Sequence, residues 1–155
     1  APESLRPIIE EAVELAAGQD AGAGIYTLLE VDDALQLEAS RSHLLQAFIN
    51  VITNAVEACA GLTHQGVITI SAHLLHNTHI RISIIDNGRG MGTEAVKDCF
   101  LLYSSGKAGG MGFGLPLAKK IIEINHRGSL SIESEKGAGA TVTIILPVVQ
   151  LQAED

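Results

Sequence analysis

Apolar residues recur at a helical period in "SLRPIIEEAVELAA", residues 4–17. Leu5, Ile8, Ile9, Ala12 and either Leu15 or Ala16 share one face, and Ser4 stands where a capping residue belongs. "GQDAGAG" breaks the pattern as a loop. In "IYTLLEV", Ile25, Thr27, Leu29 and Val31 alternate with Tyr26, Leu28 and Glu30, a strand signature. A long helix is expected from about Ala39 to Ala60, ended by "GLTHQG". "VITISAHLL" and "HIRISIID" read as two strands of a hairpin around "HNT". A further helix is expected from Thr93 to Tyr103, then a flexible glycine-rich stretch, "SSGKAGGMGFG". "LPLAKKIIEINHR" reads as a helix with Pro116 in its first turn, where a missing N–H is harmless. "SLSIESE" and "ATVTIILP" close the chain as two strands around "KGAG", with a frayed tail beyond Pro147. The pattern predicts a two-layer α/β sandwich: a mixed, mostly antiparallel sheet of about five strands, covered on one face by about three helices.

The 155 residues fit one domain, and 46% hydrophobic with 18% charged residues fits a packed core. The net charge of −8 argues against nucleic acid as partner and against direct contact with an anionic membrane. A phosphate-bearing ligand would have to be held by backbone N–H groups or a metal ion. Cys59 and Cys99 lack metal or redox spacing and read as free thiols of a reducing compartment. No apolar run approaches membrane-spanning length, so a soluble chain is expected, alone or as a piece of a longer membrane protein.

Three stretches carry candidate chemistry. Gln46, Asn50, Asn54 and Glu57 share a face of the long helix, and Glu57 is the only formal charge between His43 and Ala60. Asparagine is a poor mid-helix residue, so two of them one turn apart on an apolar helix point to a lined site rather than a solvated face. Their amide oxygens suit a hard cation such as Mg²⁺ beside phosphates. The second stretch is "DNGRGMG". Asp-Asn-Gly usually turns a hairpin, but no strand follows it here. Asp86 can accept from an exocyclic amine such as that of adenine. Gly88 and Gly90 would let a flat ring approach the backbone, and Met91 would pack on it. The third is "GGMGFGLPLAKK", where Gly110, Gly112 and Gly114 precede a helix start, a place for phosphate. It matches neither the dinucleotide fingerprint nor the P-loop.

Taken in order, "HLLQAFINVITNAVEA", "DNGRGMG", "GMGFGLPLAKKIIEINHRGSLSIES" and "GAGATVTIILP" resemble the asparagine box and glycine boxes of the catalytic ATP-binding domain of bacterial sensor histidine kinases. This is the Bergerat-fold group, shared with gyrase, the ninety-kilodalton heat-shock chaperone and the mismatch-repair ATPase. The variant is similar to nitrogen-regulation and oxygen-sensing kinases. The resemblance implies an ATP-binding domain over residues 1–148, with 149–155 as a tail. It implies that Asn54 binds Mg²⁺ on the ATP phosphates with Asn50 in support, and that Asp86 accepts from adenine N6. Gly88, Gly90 and Met91 would shape the base pocket. Gly110, Met111, Gly112, Phe113, Gly114 and Leu115 would form a lid hinge that contacts phosphates. Phe100 is similar to the phenylalanine-box residue, and Lys107 is either a phosphate contact or a solvated loop lysine.

The departures are specific. Many members carry Lys or His at the position of Glu57, and Thr at that of Ala140. None of the six histidines precedes an acidic residue as a phosphoacceptor does, so all six are expected to be structural or solvent-facing. The resemblance implies transfer of the ATP γ-phosphoryl to a histidine on a dimerisation domain and, indirectly, a response-regulator partner, in the cytoplasm. The alternatives are an ATP-hydrolysing conformational switch, a non-catalytic nucleotide sensor and a kinase of protein serine. In the hydrolases, the position of Asn50 holds a glutamate that acts as base for water.

Overall fold

The computed structural model describes residues 2–18, 24–101 and 114–149. A three-residue strand, β1 (Pro2–Ser4), runs straight into helix α1 (Leu5–Ala17). β2 (Tyr26–Val31), β3 (Gln36–Glu38) and helix α2 (Arg41–Ala58) follow. Next come β4 (Val67–Leu75), β5 (His79–Asp86) and the short helix α3 (Thr93–Asp98). Helix α4 (Gly114–Lys120) continues into a π-helical turn (Ile121–Asn125), and β6 (Ser129–Ser134) and β7 (Ala140–Pro147) complete the fold.

The main sheet has five strands in the order β2-β4-β5-β7-β6. The β2–β4 pair is parallel and the other three are antiparallel, so the mixed sheet expected from the pattern is present. Its alternation decides which face is covered. Ile68 and Ile70 of β4, Ile80, Ile82 and Ile84 of β5, and Val142, Ile144 and Leu146 of β7 are buried. They pack with Leu5, Ile8, Ile9 and Ala12 of α1 and Leu44, Phe48, Val51 and Ile52 of α2. Each such side chain, fully withdrawn from water, contributes roughly 1.5–3 kcal/mol. The β4–β5 hairpin turns where expected, with His76 and Asn77 both at positive φ.

Several details differ from the sequence reading. β1 pairs antiparallel with β3 as a second, two-stranded sheet. Strands this short cannot display a period of two. Ser4 sits at the N-cap of α1 but its side chain makes no capping bond; the Leu5 amide donates to Leu35 O instead. Ala16, not Leu15, takes the inner position, with Leu15 at 45% exposure. α3 ends at Asp98 rather than Tyr103, which lies outside the described residues. The expected helix over 115–127 is α-helical only to Lys120. His126 explains the widened turn: its ring Nδ1 lies 2.9 Å from Ile121 O, five residues back. β6 lies at the sheet edge, where the Leu130 amide donates to Glu123 and its carbonyl accepts from Lys119. Among the described residues no helix is long and apolar enough to cross a membrane.

Candidate nucleotide site

Asp86 owes its place to strand alternation. Ile80, Ile82 and Ile84 point inward from β5, and the next inward position is the carboxylate, at 6% exposure. Burial raises its pKa above the ordinary carboxylate value, since taking a charge out of water favours the protonated form. The amides of Gly88 and Ala140 and the charge of Arg89 oppose that shift without cancelling it. Gly88 N–H donates to Oδ1 at 2.8 Å, so the carboxyl group is aimed before any ligand arrives. A buried acceptor held in this way suits an amine donor.

The loop after Asp86 is fastened on three sides. Asn87 Oδ1 accepts from Val67 N–H at 2.8 Å, and its Nδ2 donates to Gln65 O at 2.9 Å. Arg89 closes the C-terminal end of α2: its guanidinium donates to Glu57 O at 2.8 Å and its backbone N–H to Ala58 O at 3.0 Å. A cation at a helix C-terminus also meets the negative end of the dipole. Met91 N–H donates to Ser134 Oγ, which donates to Gly139 O, both at 2.8 Å.

The fold itself requires Gly88 and Gly90 in this loop. A Cβ on Gly88 would lie 2.5 Å from Ala58 O. A Cβ on Gly90 would run into Glu135 O, and its φ is +69°. Their missing side chains let the loop lie against α2 and against the β6–β7 turn.

On α2, Gln46 Nε2 donates to Asn50 Oδ1 at 2.8 Å, which fixes the Asn50 amide. Asn54 is half-buried and its side chain has no hydrogen-bond partner among the described residues. Glu57, also half-buried, has its pKa raised by burial, with Arg89 opposing. Because Arg89 ties the end of this helix to the loop after Asp86, the asparagine face and the carboxylate belong to one end of the sandwich. Phe100 is half-buried against the core, with Lys119 Nζ 4.8 Å from its ring centroid. Gly114 opens α4, and a Cβ there would meet nothing within 4 Å. Leu115 is 5% exposed and belongs to the core. Lys107, Gly110, Met111, Gly112 and Phe113 lie outside the described residues.

Among the described residues no group of three or more His, Cys, Asp or Glu could hold a metal ion. A cation here would rest on an amide oxygen and on the ligand's own phosphates, a donor set that suits Mg²⁺. The free amide of Asn54 fits that role. Cys59 and Cys99 are free thiols, with pKa values raised by burial. Of the histidines, His126 is buried and structural, while His43, His73 and His76 are exposed. Arg89, Asn87, Ser134 and Lys119 escaped the sequence reading. Their partners are 20 or more residues away in the chain, apart from those of Lys119 and the Ser134 bond to Gly139, and although all four residues sit inside the quoted motifs, no local spacing announces these bonds.

Residues 39–150 match the family described as histidine kinase-, DNA gyrase B- and HSP90-like ATPase, and the chain belongs to that family of ATP-binding domains. Within it, the chain has the form of the catalytic domain of sensor histidine kinases. It is 32% identical over 152 residues to the sensor histidine kinase ZraS of Klebsiella oxytoca, covering 97% of this chain and 32% of that protein. It is 34% identical to the signal transduction histidine-protein kinase AtoS of Escherichia coli K12, covering 94% of this chain and 23% of that one. Its fold superposes on a nucleotide-free catalytic domain of histidine kinase ThkA with a TM-score of 0.82 and 27% identity, over 97% of this chain and 96% of that one. The chain thus spans a third or less of the length of these two curated relatives.

Proposed function

We propose that this chain holds Mg·ATP and presents its γ-phosphoryl group to a histidine on a dimerisation domain of the same kinase. The phosphoryl then passes to the receiver domain of a response regulator. In this reading residues 1–148 are the catalytic domain and 149–155 a tail, and the domain works in the cytoplasm, where ATP is available.

One observation carries the choice of acceptor. Position 50 is an asparagine whose Oδ1 already accepts from Gln46. An amide cannot take a proton from water at neutral pH, so no base stands where the hydrolases of this family carry one. Phosphoryl transfer then depends on positioning and on neutralising charge. Asp86, fixed by Gly88, orients the base. Asn54 would hold the cation through its amide oxygen; when bound, the cation supplies neutralising charge on the phosphates. Asn50, fixed by Gln46, keeps that face of α2 in order. The acceptor histidine comes from elsewhere: none of the six histidines precedes an acidic residue, and the buried one, His126, is engaged with backbone groups.

Incubation with γ-labelled ATP tests the reading. The chain alone should hydrolyse ATP very slowly and not label itself. With a dimerisation fragment bearing the family's histidine box, that fragment should gain an acid-labile, alkali-stable label. Brisk hydrolysis by the chain alone that disappears in Asn50→Ala would favour the hydrolase alternative.

A further inference from the structure

Glu57 lies one turn beyond Asn54 on the same helix, on the polar side that also carries Gln46 and Asn50. It is half-buried, yet among the described residues its carboxylate has no ion pair or hydrogen bond. Arg89 is the adjacent cation, but its guanidinium donates to the Glu57 backbone carbonyl, not to the carboxylate. The second carboxylate at this end, Asp86, is buried close enough to Arg89 to feel the same charge. One guanidinium, engaged at a helix terminus, therefore faces two carboxylates that it does not pair. A triphosphate entering here would bring several more negative charges toward them.

We propose that Glu57 makes nucleotide binding conditional on the divalent cation: its unpaired carboxylate repels a triphosphate that arrives bare and tolerates one whose charge is already neutralised. The inference rests on the Mg·ATP reading above and assigns Glu57 a selective role within it. The physical reason is the sign and reach of the interaction. Like charges several ångströms apart in a half-buried setting are only partly screened by water and salt. The repulsion acts on phosphates and not on an uncharged nucleoside. Glu57 would then raise the ratio of Mg·ATP to metal-free ATP affinity without adding any contact.

Calorimetric titration tests this with three probes: adenosine, ATP in EDTA, and ATP with excess Mg²⁺. Glu57→Gln should bind metal-free ATP about tenfold more tightly than wild type, with adenosine affinity unchanged. The ratio of Mg·ATP to metal-free ATP affinity should fall by a similar factor. Glu57→Asp, which keeps the charge, should keep the ratio, and Glu57→Lys should lower it further than Glu57→Gln. The difference between wild type and Glu57→Gln should shrink as salt is raised from 0.05 to about 0.5 M. An unchanged ratio in both Gln and Lys variants, or an equal change for adenosine, overturns the assignment. If wild type binds none of the three probes, it is the nucleotide reading itself that fails, and the two failures are distinct.

Discussion

The Ser40 amide donates to His126 Nε2 at 3.1 Å, across 86 positions of sequence. The other ring nitrogen faces Ile121 O at 2.9 Å. One buried imidazole thereby caps the start of α2 and shapes the turn that ends α4. Ser40 is the N-cap residue of α2, yet its own side chain makes no capping bond. The histidine takes one of the amides at a helix end that would otherwise lack a partner.

His126→Ala should therefore cost more than an ordinary surface change. The ring is 2% exposed, so its loss leaves a cavity and takes a partner from the Ser40 amide and from the buried Ile121 carbonyl. The expected loss is about 2–4 kcal/mol, read from urea unfolding. His126→Asn, which can restore one of the two bonds, should recover part of it. A loss below about 0.5 kcal/mol would mean that water replaces the ring without penalty.

Two glycines of "DNGRGMG" should behave oppositely. Gly90 combines φ +69° with a Cβ position blocked by Glu135 O, whereas a Cβ on Gly92 would meet nothing within 4 Å. Gly90→Ala should destabilise by about 2–4 kcal/mol, since strain and steric clash add. Gly92→Ala should stay within about 0.5 kcal/mol, as a surface change does. Thermal unfolding of the two variants side by side decides it.

These glycines also mark what the sequence could and could not convey. The alternation in β4, β5 and β7 and the apolar face of α1 are local repeats, so the sheet, its helical cover and the position of Asp86 were legible. The reason for Gly88 and Gly90 was not, because Ala58 and Glu135 are placed against them only by the finished fold. The same holds for His126, whose partner Ser40 belongs to a different element. β1 and β3, with three residues each, have no period to read. The polar stripe on α2 was legible because asparagine in mid-helix is a local anomaly that the core does not explain.

Lys119 should act as a clip between α4, β6 and the segment that follows α3. Its ammonium lies over Phe100, pairs with Glu123 at 2.9 Å and donates to Leu130 O at 3.1 Å. Burial alone would raise the Glu123 pKa, but the hydrogen bonds from Lys119 and Leu130 hold it below the ordinary value. Both partners are substantially exposed, so solvent weakens the ion pair. A double-mutant cycle of Lys119→Met with Phe100→Leu should give a coupling of about 0.5–1 kcal/mol. No coupling would reduce the Lys119–Phe100 contact to mere proximity.

The metal role of Asn54 separates from any effect on the helix. Asn54→Ala replaces a weak helix former by the strongest, so the fold should not suffer. Calorimetry should show a loss of Mg·ATP affinity of at least tenfold, about 1.4 kcal/mol, with adenosine affinity unchanged. Equal losses for both ligands would mean that α2 has shifted and that the amide holds no cation.

Asp86 should leave a signature in the pH dependence of stability as well as in binding. Its folded-state pKa lies above the unfolded value because burial penalises the carboxylate. The sign follows from proton linkage. Below the unfolded value both states hold the proton, and the group carries no penalty. As pH rises from there through the raised folded value, the unfolded chain ionises more readily, and wild type loses stability. Asp86→Asn has no such proton and lacks this slope. The variant's stability minus that of wild type should therefore grow in the variant's favour as pH rises from below the unfolded value through the raised folded value, then level off. Urea midpoints for both proteins across that range measure it, and the other titrating groups cancel in the difference. Binding should move the other way. Asparagine can face the adenine amine with a donor in place of an acceptor, so ATP affinity should drop by roughly 2–4 kcal/mol. A difference flat with pH would mean that the carboxylate is solvated in the folded state, and near-wild-type ATP affinity would remove Asp86 from the base pocket.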